Sequence, residues 1–315
     1  MTPQSATLQS VVHQPTQVRR FRIRHTTTYQ YNTPIERSFH RLHLRPIYDW
    51  KQRALDFQLK IEPLGVGVEY EDAFGNFTTR FEADKPYSEM TIESESTVEL
   101  LDTDPFAFAN LPIRPTFPVS WMPWDYKMLS PYLTPIELPE TQLTEIYDYA
   151  MSFVERNNND LMETLFDINL TLFREYQYAP GSTTFTTTPY DVLVNKRGVC
   201  QDFANLFICM ARLLGLPARY VCGYVYTGNQ DDERKAHLAD ATHAWVQLHI
   251  PNVGWKGFDP TNGILPSTEH VRLAVGRHYR DTAPVAGTLY TMAQEFMTTA
   301  VEMIDLDKKA DKAPQ

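Results

Sequence analysis

From residue 20 to about residue 101 apolar side chains recur at every second position, the period of a strand with one buried face. In the last of these runs Met90, Ile92, Ser94, Ser96, Val98 and Leu100 share one parity, and Glu89, Glu93, Glu95 and Glu99 the other. Asp72-Ala-Phe-Gly-Asn76 reads as a turn between two such runs, because Asp and Asn bond their own backbone and Gly accepts a left-handed conformation. After Pro139 the period changes to that of helices, over 141–154, over about 161–174, and most clearly from Cys200 onward. There Phe203, Leu206, Phe207, Met210, Leu213 and Leu214 follow i, i+3, i+4 spacing, and Gly215 and Pro217 end the run. Alternation returns at 219–226, 242–250 and 254–259.

These patterns predict a β domain over 20–101 and a second domain over 140–287, with helices first and antiparallel strands after, an α+β arrangement. Between 102 and 139 eight prolines, from Pro105 to Pro139, interrupt regular structure, so this stretch reads as the linker. Residues 288–315 have an amphipathic start and a charged end, which predicts a docked helix and a frayed tail. Residues 1–19 are polar, contain Pro3 and Pro15 and lack the apolar core of a secretory signal, so they read as a flexible tail and the expected address is the cytoplasm. No uninterrupted apolar run reaches the length of a membrane span, and no membrane partner is expected.

Composition narrows the chemistry. A chain of 315 residues, 43% of them apolar, can form two cores. A formal net charge of −10 has the wrong sign for a phosphate-backbone binder, so nucleic acid is not an expected partner. The three cysteines, Cys200, Cys209 and Cys222, form no CxxC pair, which argues against a structural zinc and a disulfide scaffold; no metal or cofactor is expected.

Cys200 opens the best helix, where unpaired backbone N–H groups and the helix dipole favour an anion, the thiolate form that acts as a nucleophile. A thiolate nucleophile needs an imidazole, and the imidazole a group that fixes its tautomer. His243 opens a predicted strand and Asp259 ends the next, just before Pro260. If the turn pairs Ile250 with Gly254, Asp259 lies opposite Trp245 and shares a face with His243, about 7 Å away at Cα. A turn with an even number of loop residues would separate them. Asp202 reads as a structural carboxylate in the first helical turn, and Gln201 beside Cys200 as either a substrate contact or a cap. Cys209 and Cys222 read as small core residues, and His249 as solvated near the turn. His40 and His43 lack a third ligand at metal-site spacing, and Asp231-Asp-Glu233 reads as a solvated loop beside the cleft.

Four motifs carry a resemblance. Arg197-Gly-Val-Cys-Gln-Asp-Phe-Ala204, Gly215-Leu-Pro-Ala-Arg-Tyr220, Thr242-His-Ala-Trp245 and Gly257-Phe-Asp-Pro-Thr-Asn262 resemble, in this order, the bacterial transglutaminase-like superfamily. Thr28-Tyr-Gln-Tyr31, Pro34, Ser38, His40, Leu42-His-Leu-Arg-Pro46 and the Asp72–Asn76 turn are similar to the β domain that precedes the core in one bacterial branch. The resemblance spans about 20–281. It implies a papain-like core behind an antiparallel β-sandwich-like domain, with Cys200 as nucleophile, His243 as general base and acid, and Asp259 orienting the imidazole. It further implies two oxyanion donors, the Cys200 backbone N–H and a side chain shortly before that helix, for which Tyr178 is the choice. The expected activity is hydrolysis of peptide or isopeptide bonds in a protein or peptide substrate through a thioester. The alternatives are protein-glutamine γ-glutamyl transfer to an amine, and a non-catalytic scaffold that retains the fold.

Overall fold

The structure, a computed structural model, describes residues 18–101, 106, 114–184, 186–228, 242–290 and 293–308. The alternating N-terminal stretch forms six strands: β1 (Val18–Ile35), β2 (Ser38–Leu42), β3 (Gln52–Glu62), β4 (Gly65–Glu71), β5 (Phe77–Ala83) and β6 (Tyr87–Leu101). On β6 the apolar parity from Met90 to Leu100 is buried as the pattern requires. Glu99, on the other parity, is buried too, because the Arg20 and Arg53 guanidiniums take its two carboxylate oxygens. In the β4–β5 turn Asp72 Oδ1 accepts the backbone N–H of Phe74 and Asn76, and Gly75 supplies a φ of +82°.

The proline-rich stretch is not free of regular structure. Helix α1 (Pro123–Leu133) lies within it, with Pro123 in the first turn, where its missing N–H costs nothing, and it buries none of its residues. Trp121, just before it, donates its Nε1–H to Gly215 O at 2.9 Å. The predicted helices follow as α2 (Glu140–Arg156) and α3 (Leu161–Glu175), the latter capped by Asp160, which accepts the Glu163 N–H. Next come β7 (Gln177–Tyr178), α4 (Pro189–Asn195), β8 (Arg197–Gly198) and α5 (Cys200–Leu213). Helix α5 buries more than the predicted stripe: among residues 202–212 Asn205 alone is not buried. It runs through the middle of the core, with α2, α3 and α4 around it and a sheet on its remaining side.

That sheet has the order β11-β10-β9-β12, from β9 (Ala218–Val225), β10 (His243–Ile250), β11 (Gly254–Phe258) and β12 (His270–Gly276). The β10–β11 register is the odd one, Ile250 opposite Gly254 and Val246 opposite Phe258, so the ladder continued by one residue sets Asp259 across from Trp245. Asn252 and Gly254 close the turn at φ +63° and +83°.

Beyond the short α6 (Tyr279–Thr282), the chain contradicts the helix predicted for 288–315: it forms β13 (Val285–Leu289) and β14 (Glu295–Asp305). The charged residues from Lys309 onward lie outside the described residues. Strand β14 pairs with β1 from Phe21↔Asp305 to Tyr31↔Glu295, and β13 pairs with β2. The exposed edges of β1 and β2 offer rows of backbone donors and acceptors, and this pairing overrides the local amphipathic pattern. The β domain is thus completed by the C-terminus as two four-stranded sheets, β14-β1-β6-β3 and β13-β2-β5-β4. They enclose a shared core of Tyr29, Tyr31, Ile35, Leu42, Phe81, Met90 and Ile92.

The two domains pack closely. The other end of the long β1–β6 pair, with Phe21, Ile23, Val98 and Leu100, forms one cluster with Tyr224, Tyr226, Val271 and Leu273. Strand β12 is an edge of this sheet, and two side-chain amides of the β domain take the place of a neighbouring strand along it. Gln52 accepts the Arg272 N–H and donates to Arg272 O, each at 2.8 Å. Asn76 does the same for Val275.

Candidate active site

Strands β7 and β8 pair in parallel, Tyr178 beside Gly198, and bring the 177–178 segment against the start of α5. Gly198 is required by close approach: a Cβ there would sit 2.7 Å from Asp202 Cβ. Asp202 Oδ2 accepts the Val199 N–H at 2.8 Å and the Thr183 hydroxyl at 2.7 Å. It is the structural carboxylate expected from the sequence, and burial holds its pKa above the usual carboxylate value. Cys200 follows as the first residue of α5, half-buried and without a disulfide.

His243 opens β10 and is buried, as is Asp259. The imidazole donates its Nε2–H to Asp259 Oδ2 at 2.9 Å. Its Nδ1 makes no hydrogen bond of ordinary geometry. The Cys200 sulfur lies near enough to act on this ring. Burial alone would lower the imidazole's pKa; the Asp259 carboxylate, with help from Cys200, more than offsets it and raises the value to about 10. Tyr178 packs edge-on against Phe203, and burial followed by the negative charge of Cys200 pushes its phenol up. The four residues singled out in the sequence, Cys200, His243, Asp259 and Tyr178, are therefore neighbours.

Sequence reasoning missed the rest of the Asp259 shell. Oδ2 also accepts His270 Nε2–H at 3.1 Å and Asn262 Nδ2–H at 2.7 Å, while Oδ1 accepts the backbone N–H of Thr261 and Asn262. Burial would raise the pKa of this carboxylate, but the two imidazoles and these donors hold it well below the usual range. His270 was one histidine among nine, and its only sequence signal is that, like His243, it opens a strand. Trp245 meets His270 edge-to-face at 5.2 Å and stacks on His243 at 5.9 Å, fixing both rings.

His243, Asp259 and His270 also form a group in which three ligand atoms lie within 4.8 Å of one another, the spacing a metal would need. In the observed arrangement both Nε2 atoms face the same acceptor-only oxygen, so each carries a proton and donates it rather than offering a lone pair. His40 and His43 diverge: His40 bonds Ser38 and Tyr87, and His43 Nδ1 bonds Ala283 O. Cys209 is buried and burial pushes its thiol up to about 12; Cys222 is buried and raised likewise. His249 is half-buried between Trp121 and Trp255, not solvated as expected. The loop with Asp231, Asp232 and Glu233 lies outside the described residues. Among the described residues no helix is long and apolar enough to cross a membrane.

Comparisons with known proteins bear on the family and the fold. The family profile of the bacterial transglutaminase-like N-terminal region matches residues 21–99, and that of the transglutaminase-like superfamily matches 147–260. An uncharacterized protein of Mycobacterium tuberculosis is 31% identical over 289 residues, covering 87% of this chain and 89% of its own. A protein-glutamine gamma-glutamyltransferase of Pseudomonas aeruginosa is 36% identical over 81 residues, 24% of this chain and 12% of that one. The crystal structure of a candidate cysteine protease from Cytophaga hutchinsonii shares the fold at a TM-score of 0.73 and 22% identity, covering 94% of this chain and 93% of that one. The chain belongs to the transglutaminase-like superfamily, with the superfamily core preceded by a bacterial transglutaminase-like N-terminal region.

Proposed function

We propose that this chain is a cysteine hydrolase that cleaves peptide or isopeptide bonds through a thioester on Cys200. The observation that carries the reading is the ordered chain of contacts from a half-buried cysteine at a helix N-terminus, through the His243 imidazole, to a buried, five-fold hydrogen-bonded Asp259. With its pKa raised, His243 carries both protons at neutral pH, one on Asp259 and one on the side of the sulfur. The thiolate then adds to the carbonyl carbon, and the oxyanion takes hydrogen bonds from the Cys200 backbone N–H and the Tyr178 hydroxyl. His243 gives its Nδ1 proton to the leaving amine as the C–N bond breaks and the thioester forms. Water, deprotonated by the now neutral Nδ1, releases the acid and restores the thiolate.

The competing fate of the thioester is attack by an amine, as the name of the Pseudomonas relative suggests for its own chemistry. Incubation with a peptide library followed by mass spectrometry tests the shared step: an acyl adduct on Cys200 is expected. Absence of any adduct under single-turnover conditions would defeat the reading. Ammonia and acid release measured with and without an added primary amine then separates the fates. Hydrolysis is expected to dominate, and amine incorporation above hydrolysis would reverse that order.

A further inference from the structure

On the side of the catalytic sheet away from α5, where the β domain covers it, lies a cavity of about 70 Å³. At roughly 10–15 Å³ per water on this measure it has room for about five water-sized groups, enough for one small oxyanion. Its wall is strongly one-sided in charge for a protein of net charge −10. Lys51 comes from the β domain, Lys256 from β11 and Arg272 from β12, and no Asp or Glu lines it among the described residues. Two carboxylates beside wall residues are already paired: Asp49 with Arg272 at 2.7 and 2.8 Å, and Glu269 with Arg19 at 3.2 Å. Lys51 rests 4.7 Å over the Trp50 ring and has no ion pair among the described residues. Burial, then repulsion from Lys256 and Arg272, lowers its pKa to about 8.

Residues with neutral donors belong to the same wall. The hydroxyls of Ser267 and Thr268 belong to residues of the wall. So does Trp245, whose Nε1 is buried without a hydrogen-bond partner. An indole N–H can only donate, and a buried donor left unpaired is costly. Cations from both domains, two hydroxyls and a buried indole N–H around a small cavity form a recognisable anion cradle.

We propose that this interdomain cavity is a binding site for one small oxyanion, a phosphate or carboxylate group, held by Lys51, Lys256 and Arg272 with Ser267, Thr268 and the Trp245 N–H. An ion there joins the β domain to the catalytic sheet, and its neighbour His270 donates to Asp259. The binding itself does not depend on the chemistry assigned to Cys200.

Isothermal titration of the full chain with inorganic phosphate, in chloride-matched buffer, tests the site, with succinate as the carboxylate arm. Saturable binding of phosphate is expected, weakened at least tenfold in Lys51→Met and in Lys256→Met, and unchanged in Lys60→Met on the exposed face of β3. Cys200→Ala should bind as the unmodified chain does. Saturable succinate binding without phosphate binding would support the site and assign it to carboxylates. Binding of neither ion, or affinity equal in both lysine variants and the unmodified chain, would overturn the proposal. A second readout needs no variant: phosphate should slow acetylation of Lys51 by acetic anhydride, followed by peptide mass spectrometry, and an unaltered rate would count against the site.

Discussion

The two faces of the β9–β12 sheet do different work. The face toward α5 is apolar: Ala244, Val246 and Leu248 of β10, with Tyr220 and Cys222 of β9, pack into one core with Phe203 and Phe207. The face toward the β domain carries Trp245, Gln247, His270 and Arg272, together with the end of the ladder where His243 and Asp259 meet. Both faces are covered, but in different ways. One packs with a helix from its own domain. The other does so with a domain assembled from both ends of the chain, whose polar groups satisfy the strand edge that they cover. A carboxylate buried under such a roof keeps its charge only if every lone pair is engaged, and Asp259 has five donors to do so. Buried polar side chains are thus concentrated on the face toward the β domain, and apolar packing on the face toward α5.

Substitutions on each face can sharpen or break this division. The largest effect belongs to Cys200→Ala, expected to remove turnover by at least about 10⁴-fold while leaving the melting temperature nearly unchanged. Retained hydrolysis would refute the nucleophile. Asp259→Ala comes next and should damage both properties. It leaves two buried imidazoles without their acceptor, with stability lower by about 3–5 kcal/mol in urea unfolding and kcat lower by about 10²–10⁴-fold. An active, fully stable variant would show that the polar face is not organised around this carboxylate. A matched pair follows. Val246→Ala on the α5 face should cost about 2 kcal/mol with kcat intact. Gln52→Ala, which strips the Arg272 N–H and carbonyl of their partner, should cost about 1–3 kcal/mol and also lower kcat several-fold, because β12 holds His270 against Asp259. Equal effects of the pair on kcat would erase the distinction between the faces.

The candidate site was more legible in the sequence than the domain that covers it. Cys200, His243 and Asp259 sit at the start or just past the end of elements whose periodicity is strong, and the odd β10–β11 register follows from a short turn with residues suited to positive φ. His270 was not legible, because its partner lies 11 residues away and across β9 and β10, a relation that no local pattern encodes. The C-terminal strands were misread for a related reason. Residues 295–305 bury Val301 alone, so their burial pattern carries little strand signal, and their conformation is set by a β1 edge more than 260 residues upstream. Helix α1 was hidden by counting prolines without regard to position, since Pro123 falls in a first turn that accepts it.

A further effect expected on the polar face is one of pH, and its sign follows from the raised imidazole. In the unfolded chain His243 titrates near the ordinary value of 6.5, and in the folded protein near 10. Below about 6.5 both states hold the proton, and the His243–Asp259 pair contributes its full stabilisation. As pH rises above 6.5 the unfolded chain gives up its proton while the folded one retains it, so the folded state binds more protons and its relative stability falls through this window. Asp259 acts in the opposite direction, its contribution being lost as pH drops below the ordinary carboxylate range. The difference in urea midpoint between the unmodified chain and His243→Gln should therefore be greatest near pH 6 and shrink toward pH 9.5, since titrations remote from His243 cancel in the difference. Val246→Ala, on the apolar face, should show a difference that does not vary with pH. Parallel profiles for both variants would mean that His243 titrates as it does in water, and that the buried carboxylate does not hold it.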